Sequence, residues 1–231
     1  MQCGICGGVS FIRHPILWEG LINEWQISPA EADYVDRQQG ETCNSCGANL
    51  RSIALANALR AFLGTNALLR EIATSPLGKS FSILEINEAG SLTPILKNFG
   101  RYVFGAYPEV DMHAIPYESN VFDVVIHSDT LEHVTNPIHA LTECRRVLKP
   151  GGALCFTVPV IVERLSRNRH GLPKSHHGNS ETMSDDLVVQ TEFGADAWCY
   201  IMESGFTDVS IHSVGYPAAT AFLARNGWRY R

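Results

Sequence analysis

The run FDVVIHSDTLEHVTNPIHALTECRRVLKPGGALCFTVP, residues 122–159, constrains the fold more than any other stretch of this chain. Residues 122–126 are a short, β-branched run, the pattern of a parallel strand buried on both faces. A polar segment follows at residues 127–136. Pro137 suits the first turn of a helix, where its missing N–H has no intrahelical partner to lose. Ile138, Leu141, Arg145 and Leu148 then recur at helical spacing, until Pro150, Gly151 and Gly152 stop the helix and turn the chain. Residues 153–158 form a second strand without polar alternation. Strand, helix, strand is a βαβ crossover, so the sheet is parallel here and the connection right-handed. Ligands of open sheets of this kind sit beyond the carboxyl ends of the strands, which puts residues 128–133 at a site.

Four pieces of this region together resemble the class I S-adenosylmethionine-dependent methyltransferases, in particular the type 11-like domain. They are the FDVV strand, the LEHV loop (residues 131–134), the RVLKPGG turn (residues 146–152) and a strand ending in Pro159. The resemblance extends over about residues 81–224. It implies an α/β fold with a doubly wound, mostly parallel, seven-stranded Rossmann-like sheet, and S-adenosylmethionine as cofactor. The competing doubly wound class, a dehydrogenase, rarely carries RVLKPGG after LEHV.

The chain of 231 residues is 45% hydrophobic, enough for a sizeable core, and its formal net charge is −6. A generic nucleic-acid binder is usually basic, so this balance argues against that class. No run of 18 apolar residues is present, so no membrane span is expected. The start MQCGICGG lacks the basic and apolar regions of a signal peptide. A cytoplasmic location is therefore expected, where cysteines stay reduced and serve metals or cores.

Cys3 and Cys6 form one C-x-x-C followed by glycine, and Cys43 and Cys46 form another. Two such knuckles direct their thiolates at one tetrahedral centre, which suits zinc. With all four cysteines bound no position remains for water, so the site is structural. Trp18, Leu21, Ile22 and Trp25 form an apolar patch at helical spacing between the knuckles, and Ser28-Pro29-Ala30-Glu31 reads as a capped helix start. The expected organisation is a zinc-binding module over residues 1–50, linking helices over 51–80 and the cofactor domain over 81–231.

Within the last unit, residues 81–86 are the first strand. Relatives follow it with an acidic residue and G-x-G-x-G, whereas this chain has Glu85 and then Asn87, Ala89 and Ser91, with Gly90 close by. Asn tolerates positive φ better than most residues, and Ala89 and Ser91 are small enough to allow close approach. A helix over residues 92–98, capped by Ser91, is expected next. Residues 101–105 are the second strand. The resemblance implies a ribose-binding carboxylate near its end, where Tyr107 stands and Glu109 is the nearest acid. The segment Asp111-Met112-His113-Ala114-Ile115-Pro116-Tyr117 resembles the family's D-x-x-x-L-P-F. The resemblance therefore implies Glu85, Asn87 and Gly90 at the methionine and ribose, Asp111 and Met112 at the adenine, and Ser128, Asp129 and Leu131 beneath the sulfonium.

After Pro159 a short helix is expected over residues 160–165, then a polar, histidine-rich loop over 169–191, a helix over 194–205 and strands over 209–214 and 218–223. A short strand near residues 110–113 brings the count to seven. Methyl transfer to a hydroxyl or carbon acid needs a base, for which histidine suits neutral pH. His133 lies in LEHV, and His170, His176 and His177 lie in the long loop; His176 or His177 is the expected base. That loop, with Arg169 and Lys174, is expected to close over a small polar acceptor such as a sugar or glycan. Two other classes fit the sequence: an RNA methyltransferase using the zinc module, and a binding protein that keeps the fold without catalysis, for which the altered loop at residues 87–91 is the main support.

Overall fold

The structure, a computed structural model, describes residues 1–176 and 185–227. The N-terminal segment opens with β1 (Phe11–Arg13), α1 (Glu19–Trp25), α2 (Pro29–Gly40) and β2 (Glu41–Cys43), and β1 pairs antiparallel with β2. The helix start expected at Ser28 is a capping box. Ser28 Oγ accepts from the Glu31 N–H at 3.2 Å, and Glu31 Oε2 accepts from the Ser28 N–H at 2.6 Å. Two otherwise orphaned donors are satisfied reciprocally. Next comes α3 (Leu50–Phe62), capped by Asn49 Oδ1, which accepts from the Ser52 N–H at 2.9 Å. The helices α4 (Leu69–Thr74) and α5 (Pro76–Lys79) lead into the sheet.

The remaining elements are β3 (Ser82–Ile86), α6 (Thr93–Leu96), β4 (Arg101–Gly105), β5 (Phe122–Ser128), α7 (Pro137–Val147), β6 (Leu148–Thr157), β7 (Val160–Ile161), β8 (Arg167–Asn168), β9 (Thr191–Gly194), α8 (Ala197–Glu203), β10 (Asp208–Val214) and β11 (Ala219–Arg225). The central sheet runs β10-β11-β6-β5-β3-β4. β4, β3, β5 and β6 are parallel to one another, while β11 and β10 are antiparallel. The fold is thus α/β, doubly wound and mostly parallel. Alternate side chains of each strand enter opposite cores, as the strand period of two requires. Ile83, Val124, Ile126 and Cys155 join α3 in one core, while Leu84, Val125, Leu154 and Phe156 join α7 and α8 in the other. The first core also contains Cys3 and Cys43, so packing is continuous from the cysteine knuckles to the sheet. No described helix is long and apolar enough to cross a membrane.

Several expectations need correction. The central sheet has six strands among the described residues, not seven. Near residues 110–113 the chain makes successive turns instead of a strand, with the Val110 N–H donating to the Ala106 carbonyl and the Ala114 N–H to the Asp111 carbonyl. Pro108 and Pro116 bracket this stretch, and proline has no ladder donor to offer. The short helix expected at 160–165 is replaced by β7, which pairs parallel with β9, and the helix expected at 194 starts only at Ala197. The helix expected over 92–98 is a 3₁₀ turn, Gly90–Leu92, followed by the four-residue α6. Ser91 does not cap it, and the Thr93 hydroxyl is spent on Glu85.

Candidate cofactor cleft and cysteine site

Strand order reverses between β3 and β5: from β3 the chain moves outward to β4, then returns to β5 and β6 on the other side. The loops leaving β3 and β5 therefore diverge and open a crevice between them. A cleft of ≈ 560 Å³ lies there. This is within the range of about 300–1,000 Å³ usual for small-molecule sites.

Of the residues expected at the cofactor, Asn87, Tyr107, Asp111, Met112, Ser128 and Asp129 line this cleft, and His133 joins them. Asn87 takes the left-handed conformation at φ 55°. Its Oδ1 accepts from the Tyr107 N–H at 3.1 Å, its Nδ2 donates to Thr130 Oγ1 at 3.4 Å, and its own N–H donates to the Gly105 carbonyl at 2.8 Å. One asparagine thus ties together the loops after β3, β4 and β5. Asp129 is also left-handed, at φ 45°. It accepts from Thr157 Oγ1 at 3.2 Å and forms an ion pair with Arg51 of α3. Burial lowers the pKa of that guanidinium. Ser128 Oγ lies 2.8 Å from Thr157 Oγ1. Asp111 Oδ1 accepts from the His113 N–H at 2.8 Å and lies 3.0 Å from His113 Nδ1. The Asn136 N–H donates to His113 Nε2 at 3.2 Å, which assigns the His113 proton to Nδ1, facing Asp111.

Other expected residues lie elsewhere. Glu85 is fully buried beneath the β3 loop. Its carboxylate accepts from the Ala89 N–H at 2.7 Å, Thr93 Oγ1 at 2.5 Å and Tyr102 OH at 2.6 Å. Burial, and then the bond to Glu85, raises the Tyr102 pKa. Gly90, at φ +57°, faces Ser52, and Leu131 is a core residue. Glu109 is exposed and outside the cleft lining. His176 is 8% exposed and forms an antiparallel bridge with Val188, also outside the lining. His177 lies outside the described residues. His133 Nδ1 is 3.2 Å from the Val188 carbonyl, and its Nε2 is 3.7 Å from Glu132 Oε1. Sequence reasoning missed Glu88, His113 and Gln190 in the lining, while Thr130 falls within the stretch 128–133 that it placed at a site. Glu88 and His113 were within reach as neighbours of chosen residues, but nothing in the sequence links Gln190 to this cleft.

The cysteine expectation concerns a separate place. The sulfurs of Cys3, Cys6, Cys43 and Cys46 lie within 4.8 Å of one another. Cys3 Sγ is 3.8 Å from Cys46 Sγ, and Cys6 Sγ is 3.7 Å from Cys43 Sγ. Four sulfurs each about 2.3 Å from a tetrahedral zinc stand about 3.8 Å apart, so the donor set fits. The knuckles turn at Gly7, φ +83°, and Gly47, φ +73°. Their N–H groups donate to the Cys3 and Cys43 carbonyls at 2.8 Å each. Burial pushes the Cys43 thiol up, but the Ser45 and Cys46 amides and the Cys6 side chain outweigh it and bring the pKa to about 7.

Residues 90–156, from the β3 loop to β6, match the family model described as a methyltransferase domain. A ubiquinone biosynthesis O-methyltransferase of Cereibacter sphaeroides is 30% identical over 58% of this chain and 53% of its own length. A ubiquinone/menaquinone biosynthesis C-methyltransferase of Ruegeria sp. is 33% identical over 41% of this chain and 36% of its own. The chain thus spans about half the length, or less, of these curated relatives. Among solved structures, the CurJ carbon methyltransferase aligns with a TM-score of 0.46 at 15% identity, covering 91% of this chain and 70% of that one.

Proposed function

We propose that this chain is an S-adenosylmethionine-dependent methyltransferase that acts on a small-molecule acceptor. The observation that carries the reading is the cleft at the reversal of strand order, with Asn87, Asp111, Met112, Ser128 and Asp129 in its lining. Asp111 and the apolar Met112 suit the adenine, one as acceptor for its amino group and the other against the ring. Tyr107 stands at the rim where the ribose would lie. Asn87, Ser128 and Asp129 remain for the amino-acid end. The lining also contains Glu88 and Asp186, and this acidic surround suits a ligand bearing a sulfonium and an ammonium group. When bound, the cofactor supplies an electrophilic methyl group. The protein's part is alignment of the acceptor, which by itself supplies much of such a rate enhancement.

His113 and His133 both line the cleft; the ring of His113 is held between Asp111 and the Asn136 N–H, which makes His133 the first candidate for a general base. His176 is bridged to Val188 and is not among the residues that line the cleft. The polar or glycan acceptor expected from the sequence draws its support from the histidine-rich loop, and residues 177–184 of that loop lie outside the described structure. The cysteine site is read as a structural zinc centre that fastens the N-terminal segment to the α3 core. Calorimetry with S-adenosylhomocysteine tests the main reading. One molecule bound per chain, with affinity weakened about tenfold by Asp111→Ala, is expected; this is the loss of one hydrogen bond. A folded protein that binds neither S-adenosylhomocysteine nor S-adenosylmethionine overturns it.

A further inference from the structure

The first turn of α3 touches both loops of the cofactor cleft. The second cysteine turn leads directly into this helix: the Cys43 N–H donates to the Ala48 carbonyl at 2.9 Å, and Asn49, bridged to Thr42, caps it. Ser52, third in the helix, faces Gly90 of the β3 loop, where a Cβ would lie 3.3 Å from the Ser52 hydroxyl. Arg51, second in the helix, forms the ion pair with Asp129 of the β5 loop. Two neighbouring side chains thus carry the N-terminal segment to the two loops that open the cleft.

Asp129 needs such a hold. A non-glycine residue at φ 45° is sterically disfavoured and keeps that conformation only where its surroundings fix it. Thr157 of β6 fixes one side: its carbonyl accepts from the Asp129 N–H at 3.0 Å, and its Oγ1 donates to Asp129 Oδ1 at 3.2 Å. Arg51 takes the other carboxylate oxygen, Oδ2. The two side chains are 15% and 14% exposed, so salt and water screen the pair little. Both oxygens of Asp129 are thus committed to the protein. What the residue gives the cleft is the path of the chain from Ser128 to Thr130, whose hydroxyl accepts from Asn87 Nδ2 at 3.4 Å and so meets the β3 loop.

A second carboxylate acts on Arg51. Glu132 favours the charged guanidinium against the effect of burial. Glu132, however, lines a separate cavity of ≈ 190 Å³ with Val189 and Thr191, whereas His133 and Gln190 line the cleft on the other face of that wall. Of the two carboxylates, Asp129 is the one in the cleft lining, so the influence of Arg51 on a bound cofactor runs through Asp129.

Building on the methyltransferase reading, we propose that Arg51 is a positioning residue of the cofactor cleft: by pairing with Asp129 it fixes residues 128–130 in the shape that receives the amino-acid end of the cofactor. Arg51 itself is outside the cleft lining and touches no ligand. Its contribution is preorganisation: the loop is ordered before the cofactor arrives, so binding does not bear that cost.

The test is a double-mutant cycle on the full-length protein, with S-adenosylhomocysteine affinity read by calorimetry and Tm read in parallel. Arg51→Met and Asp129→Asn should each weaken affinity about tenfold, the loss of one buried charge-assisted contact. Because the two residues act as one unit, the double variant should also lose about tenfold rather than about a hundredfold. Arg51→Lys keeps the charge and should stay within about threefold of wild type. Stability should behave differently. Arg51→Met leaves a buried carboxylate unpaired and lowers Tm, whereas the double variant has no unpaired charge and should regain much of that loss. A double variant that regains affinity along with Tm would reduce Arg51 to a structural role and overturn the proposal. Folded Arg51→Met protein with wild-type affinity also overturns it, as do losses that multiply. Should Arg51→Met fail to fold, the double variant compared with Asp129→Asn alone decides: equal affinity supports the proposal and a further tenfold loss, on the order of one more independent contact, overturns it. Wild-type protein that binds neither S-adenosylhomocysteine nor S-adenosylmethionine removes the methyltransferase reading instead.

Discussion

The cysteine site and the cofactor cleft are both built from segments distant in sequence, but they were legible to different degrees. Each cysteine pair lies inside a single glycine-closed turn, so spacing alone dictates that both sulfurs face the same way. The cleft is built at strand ends, where one residue's step reverses the side chain's direction. Glu85 and Asn87 are two positions apart, yet Glu85 is swallowed by three hydrogen bonds beneath the loop while Asn87, in the left-handed region, faces the cleft. The lesson is that spacing within a turn predicts ligand geometry, whereas spacing at the end of a strand does not say which side chain holds the loop and which meets the ligand.

The largest effect should come from the cysteine side of this comparison. Cys43→Ser combined with Cys46→Ser should abolish zinc binding. Cys3 and Cys43 belong to the same core as α3, so the loss should spread beyond the knuckles. A fall in Tm of roughly 10 °C or more is expected, since about 1 kcal/mol moves a domain of this size by about 2–4 °C and structural zinc sites contribute several. Chelation of the wild-type protein should reproduce it. Less than about half an equivalent of zinc in purified protein would show that the four cysteines do not hold a structural zinc.

Next in size, Glu85→Ala should lower stability by about 3 kcal/mol or more, because the Ala89 amide and the Thr93 and Tyr102 hydroxyls lose a buried charged acceptor. It should weaken S-adenosylhomocysteine as well, through the displaced loop. Asp111→Ala removes a residue that faces the cleft and should cost about tenfold in affinity with Tm unchanged. A Glu85 variant with normal stability and lost affinity would mean that Glu85 meets the ligand after all.

The smallest effect concerns His127, one residue before Ser128 on β5. It is fully buried and stacked on Phe156 at 4.9 Å, and desolvation lowers its pKa from 6.5 to about 3. The folded value lies below the unfolded one, so the unfolded chain binds the extra proton first. This group costs no stability above pH 6.5, and the cost grows as pH falls from 6.5 toward about 3. At pH 5.5 it amounts to about 1.4 kcal/mol. Urea unfolding at pH 7.5 and 5.5 should show His127→Phe losing less stability than wild type by that amount. Equal losses would show that His127 is hydrated in the folded protein.

The sequence by itself determined the βαβ core, because a β-branched run, a proline-started helix and a glycine turn are local signals that tertiary contacts only reinforce. It also determined the cysteine cluster, because each C-x-x-C-G closes its own turn. Tertiary structure alone decided the rest of the site. It dissolved the seventh strand into turns at residues 106–114 and turned residues 160–161 into a strand, because β9, some thirty residues later, offered a partner. It set Glu132 and His133 on opposite sides of one wall and brought Val189, Gln190 and Thr191 to complete that wall. Such facing depends on contacts between segments far apart in the chain, and no local pattern records which side of a turn will be left open to a ligand.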